Sequence, residues 1–148
     1  METYRLELTR DEYESLNSKY PEGEGSSVIG KRAEEIVKIY FLKKDPKCQF
    51  AQPPKGADLL VVSSDGTRSL TIEVKGTKSA DVAWQQLKVS SQHSRDLLVE
   101  KGVPVYRVTG VFQRSIAIYV LAYGLDFSLE HEPRWTFKRT RATELGTK

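Results

Sequence analysis

One cysteine, one methionine and two histidines are all that this chain of 148 residues has of the softer metal ligands. Cys48 has no partner for an internal disulfide, and no Cys/His spacing suggests a zinc site. No apolar run approaches the length of a membrane span. The start, Met1-Glu2-Thr3-Tyr4-Arg5, has neither the basic region nor the apolar stretch of a secretory signal. These absences predict a soluble protein in a reducing, cytoplasmic setting, with no membrane partner. There is no glycine-rich phosphate loop either. Gly23-Glu24-Gly25 lacks the strand before it, the helix after it and the Walker lysine. No repeat and no low-complexity block interrupts the chain.

What is present is an ordinary globular composition with a small positive excess, a formal charge of +3. The charges are unevenly spread. Residues 1–24 are acidic on balance, whereas residues 134–148 carry Arg134, Lys138, Arg139, Arg141 and Lys148 against Glu144 alone. A basic tail suits a polyanionic partner, and a solvated terminus gives the same composition. The length suits one main body. We divide it into an N-terminal appendage and linker over residues 1–27, a core over 28–125 and a basic tail over 126–148.

Periodicity predicts a short strand at the N-terminus and a helical turn opened by Thr9, with Glu12 at capping-box spacing. Pro21 to Ser27 reads as a linker. Ala33, Ile36, Val37, Tyr40 and Phe41 recur at helical spacing from Gly30 to Lys44, and Asp45-Pro46 ends that helix. Gln49 to Pro54 reads as a loop or short extended piece. Two strands follow, Gly56 to Val62 and Arg68 to Lys75, joined by a turn at Ser63-Ser64-Asp65-Gly66. Ala83 to Val89 reads as extended. A helix opens near Ser90 or Ser91 and closes at Lys101-Gly102, and two strands lie over Val103 to Phe112 and Ser115 to Tyr123. The expected class is α/β, in the sense of an α+β mixed sheet with helices on its faces.

The chemistry-bearing run is Gly56-Ala57-Asp58, a strand, a turn, and then Thr71-Ile72-Glu73-Val74-Lys75-Gly76-Thr77. On a strand Glu73 and Lys75 share one face while Ile72 and Val74 take the other. The hairpin brings Asp58 and Glu73 to one end. Two carboxylates held together repel unless a cation lies between them, and a hard, oxygen-liganded ion such as magnesium or manganese resolves that conflict. Lys75 beside such a site can orient the attacking water or stabilise charge at phosphorus. The preceding helix offers a third acid. With Ala33 at zero, the apolar residues span from about −60° to about +80°, Glu34 falls at about 100° and Glu35 at about 200°. Glu34 therefore borders the packed face, and Glu35 points toward solvent.

These residues resemble the PD-(D/E)XK nuclease superfamily, which includes restriction endonucleases and Holliday junction resolvases. The resemblance covers about residues 28–123, with Ala57-Asp58 standing where the family has Pro-Asp. It implies a restriction-endonuclease-like αβββαβ core and divalent-metal-dependent hydrolysis of DNA phosphodiester bonds. It implies that Asp58, Glu73 and the carbonyl of Val74 bind Mg2+ or Mn2+, that Glu34 assists, and that Lys75 serves the water. In one subgroup a polar residue in the first turn of the next helix lies near the site. By position this is Gln92, with Gln85 and Gln86 as rivals. A homodimer is the oligomer that the resemblance suggests, although no coiled-coil heptads are present.

Lys78, Lys88, Arg95 and Arg114 are candidate phosphate contacts for a nucleic-acid backbone. Trp84 and Trp135 are candidates for stacking on bases, and burial in the core is the simpler reading for at least one of them. His93, next to Gln92, and His131 read more simply as exposed histidines. The alternative to an enzyme is a catalytically inactive module of the same fold that binds nucleic acid or a protein partner.

Overall fold

A computed structural model describes residues 1–131. Six strands form one mixed sheet in the order β1-β6-β5-β4-β3-β2. In chain order the elements are β1 (Glu2–Glu7), α1 (Arg10–Lys19), α2 (Ser26–Lys44), β2 (Gln49–Ala51), β3 (Leu59–Val62), β4 (Ser69–Gly76), α3 (Gln92–Glu100), β5 (Val105–Thr109) and β6 (Ser115–Leu121). Every neighbouring pair is antiparallel except β4 and β5, which run parallel. A parallel pair needs a crossover. Here it is the segment from Thr77 to Pro104, which holds α3.

The alternation in β4 assigns the two faces. Ile72 and Val74 enter the main core with Ala33, Ile36, Val37 and Tyr40 of α2. Gly76 continues that row, and its missing side chain lets α2 approach: a Cβ there would lie 2.7 Å from the Cβ of Ala33. Glu73 and Lys75 point to the opposite face. That face is covered by a smaller core in which Leu98 of α3 meets Val103, Val105 and Leu121, with Leu87, Phe127 and Leu129 packed around them.

Residues 1–27 are not a separate appendage. β1 pairs with β6 from Glu2 opposite Val120 to Glu7 opposite Ser115, and Leu6, Leu8 and Leu16 are buried in the main core. Arg32, fully buried, ties this region down. Its Nε donates to the Val111 carbonyl at 2.6 Å, and Nη1 donates to Asn17 Oδ1 and to the Tyr20 carbonyl. The expected capping box at Thr9 and Glu12 is present in both directions.

Two local expectations are corrected. α2 begins at Ser26 rather than Gly30, with Gly25 as its N-cap at a φ of 101°, so the linker is shorter than its composition suggests. The stretch Ala83 to Val89 is not uniformly extended. Trp84–Gln86 form a 3-10 turn entered through Ala83, which takes the left-handed φ of 51°. Ser91, not Ser90, caps α3, its hydroxyl accepting from the Ser94 N–H. Of the expected tail, Phe127 and Leu129 belong to the smaller core. The basic residues from Arg134 onward and Trp135 lie outside the described residues. Among the described residues no helix is long and apolar enough to cross a membrane.

Candidate functional site

Asp58 stands immediately before β3 and is locked to β4 by two bonds that bracket Glu73. Its N–H donates to the Ile72 carbonyl at 3.0 Å, and its Oδ2 accepts from the Val74 N–H at 2.7 Å. The tight turn of the hairpin fixes this register. Asp65 takes the hydroxyls of Ser63 and Thr67 and the Thr67 N–H.

Around Asp58 the acids gather from three elements. Glu73 of β4 is only 5% exposed. Burial is the main force that pushes its carboxyl up to about 7, repulsion from Asp58 adds to the rise, and Lys75 opposes it. Glu34 of α2 is raised as well, first by burial and then by the nearby charge of Asp58. Glu35 instead faces Lys38 at 3.9 Å. The Lys75 ammonium lies 3.5 Å from Glu73 Oε1 and is partly exposed. The structure thus sets Asp58 near Glu73 and near Glu34, puts Lys75 against Glu73, and turns Glu35 to Lys38.

This group is short of positive charge. Lys75 faces Glu73 and Lys38 acts on Glu34, yet both carboxyls are held above the ordinary carboxylate range. Oxygen donors in negative excess suit a hard divalent ion. The acids do not yet make a finished cage: among the described residues no three Asp, Glu, His or Cys side chains are grouped as a ready ion-holding cluster. Val74 contributes its N–H to Asp58.

The other expected site residues fare differently. Gln92 is exposed and donates to Asp96 at 2.7 Å one turn along its own helix, so its amide is not engaged with the acids. Gln86, a rival for that place, accepts from the Thr77 hydroxyl at 2.8 Å and braces the loop just after Lys75 and Gly76. Gln85 is exposed. Arg114 clamps the Leu8 carbonyl between β1 and β6, and Arg95 pairs with Asp96 and Glu100. Both arginines hold structure. Lys78 is exposed on the loop after β4, and Lys88 lies with Lys75 on the wall of a cavity. His93 is exposed, with its backbone packed against Gly56, where a Cβ would come within 2.8 Å.

Arg107 is the residue that sequence reading missed. It lies beside Lys75 in the β4–β5 register, on the same face, and is 2% exposed. Its guanidinium donates to the carbonyl of Gly76 at the end of β4, at 3.0 Å, and to those of Val82 at 2.7 Å and Ala83 at 3.3 Å in the loop that follows. The only signal in the sequence is an arginine inside an otherwise apolar strand, Val105-Tyr106-Arg107-Val108.

No family model, no curated protein and no solved structure matches this chain.

Proposed function

We propose that this protein is a divalent-metal-dependent nuclease that hydrolyses phosphodiester bonds of DNA. One observation carries the reading: Asp58 is bonded on both sides of Glu73, meets Glu34 from a second element, and has Lys75 in the same cluster. The element order supports it. From α2 through β2, β3, β4, α3 and β5 the chain runs αβββαβ, with β4 and β5 parallel, as a restriction-endonuclease-like core requires.

Asp58 and Glu73 are the residues that would hold Mg2+ or Mn2+, with Glu34 beside them and the Val74 carbonyl as the further donor that the resemblance suggests. A bound divalent ion supplies Lewis acidity at the phosphoryl oxygen and a more acidic water. The chain's own residues do the rest. Glu73, once deprotonated, would be one of the residues to hold the cation. Lys75, beside Glu73, would orient the attacking water and meet the charge that grows on the phosphoryl oxygens. Burial of Glu73 and Glu34 lowers the local dielectric and strengthens each of these interactions.

The test is cleavage of plasmid, single-stranded DNA, branched DNA and RNA with magnesium, manganese or chelator. Lys75→Ala and Asp58→Ala should each abolish metal-dependent cutting while leaving the protein folded. Equal cutting by parent and variants would overturn the reading. Binding without cutting by the parent would instead identify an inactive module of the same fold.

A further inference from the structure

The face that carries Glu73 and Lys75 also carries a cavity of about 120 Å3. Lys75 stands in its wall. Trp84, Leu87, Val89, Val105 and Leu129 supply most of the apolar lining. The register explains the adjacency, because Glu73 pairs with Val105 and Val105 pairs with Leu121, so one row of the sheet runs from the buried acid onto the cavity floor.

Trp84 is the unusual member. It is 46% exposed, a large aromatic left in water beside an apolar hollow. It is also held firmly. The two residues before it, Val82 and Ala83, have their carbonyls fixed by the buried guanidinium of Arg107. Asp81 accepts from the Ala83 N–H, and the Leu87 N–H returns to the Trp84 carbonyl. Burying an arginine carries a desolvation cost that only good hydrogen bonds offset. Here those bonds fix the backbone immediately before an exposed tryptophan, and Ala83 accepts a left-handed φ in the process. A ring held out of the core in this way is preorganised for a flat partner.

We propose that this cavity receives an unpaired nucleobase of the nucleotide next to the phosphate held at Lys75, stacked on Trp84. The inference rests on the nuclease reading and deepens it: the substrate is single-stranded or frayed DNA rather than an intact duplex. Charge and shape agree with this occupant. The ammonium of Lys75 at the wall suits the phosphate, and the apolar lining suits a base that has left its stack. A paired base stays in the duplex and cannot enter without unpairing.

The test is fluorescence anisotropy of a labelled short oligothymidylate with calcium present, set beside a closed-end duplex hairpin. Trp84→Ala should weaken binding of the single strand about tenfold or more, Trp84→Phe should retain most of it, and hairpin binding should not change. In a Trp135→Phe background the emission of Trp84 should be quenched at saturation, which tests stacking without disturbing the loop. Equal single-strand affinity for parent and Trp84→Ala, equal loss on both substrates, or absence of quenching would overturn the proposal. So would a Trp84→Ala variant that changes its oligomeric state without changing DNA affinity, since a second copy of the chain would then be the occupant. Cleavage by Asp58→Asn at the parental rate would overturn the nuclease reading alone, because the binding and quenching results stand without turnover.

Discussion

Among the described residues the two faces of the sheet hold one buried arginine each, and the two do different work. On the α2 face Arg32 joins α1, α2 and the carbonyl of Val111, in the middle of the larger core. On the α3 face Arg107 binds the carbonyl at the end of β4 and two in the loop after it, on the face that holds the smaller core, a buried acid and an open cavity. The first face is filled with apolar side chains. The second is left partly unfilled and holds groups whose burial is unfavourable, Glu73 above all. Stability resides mainly in one layer, which lets the other keep strained charge beside solvent.

Substitutions in β4 separate the two faces most sharply, because neighbouring residues point opposite ways. Lys75→Ala should lower metal-dependent cleavage about 10²–10³-fold in single-turnover assays, with the melting curve little moved. Ile72→Ala, three residues earlier on the other face, should cost about 2–5 kcal/mol in urea unfolding, while the folded fraction keeps its cleavage rate. If Ile72→Ala removed cleavage without unfolding the protein, the division between the faces would be wrong.

Gly76→Ala probes the boundary. The added methyl would meet Ala33 at 2.7 Å and the Ile29 carbonyl at 3.1 Å, so we expect a loss of about 1–3 kcal/mol through displacement of α2. The measurement is again denaturant unfolding, set against single-strand binding, which should persist.

Acidity gives a finer probe. The carboxyl of Glu73 titrates near 7 in the folded chain, above the ordinary value of 4.5 that it regains on unfolding. Between those values the folded state binds more protons, so this group's contribution to stability falls as pH rises from about 4.5 through about 7. Glu73→Gln should flatten that part of the metal-free stability profile. Divalent-ion affinity should rise over the same window, with release of a proton that calorimetry in two buffers detects. The smallest effect expected is that of Ser94→Ala, which removes the 2.7 Å bond from the α3 hydroxyl to the Gly56 carbonyl and should cost about 1 kcal/mol.

Much of the site was legible because it depends on local periods. The two-residue repeat of a strand puts Glu73 and Lys75 on one side, the turn at Ser63 to Gly66 brings Asp58 back to them, and the helical angle separates Glu34 from Glu35. What escaped depends on partners distant in sequence. Arg32 and Arg107 are written like surface arginines, and the bonds that hold them inside run to Asn17, Tyr20 and Val111 and to Gly76, Val82 and Ala83. Gln92 was placed by position in the chain, yet Asp96 lies within reach at the next turn and takes its amide. β1 was read as part of an appendage because nothing near it in sequence reveals that its partner is β6.

That pairing sets an order of events during synthesis. β1 is made before the other five strands of this sheet, and its one neighbour among the described residues is made more than a hundred residues later. Until β6 arrives, β1 has no ladder partner among the described residues and β5 has one open edge, so Glu34, Asp58, Glu73 and Lys75 are all made before the sheet around them can close. Such long-range closure slows folding and exposes strand edges to aggregation in the meantime. A chain halted before Ser115 therefore carries the whole acid–lysine run without the strand that joins its two ends.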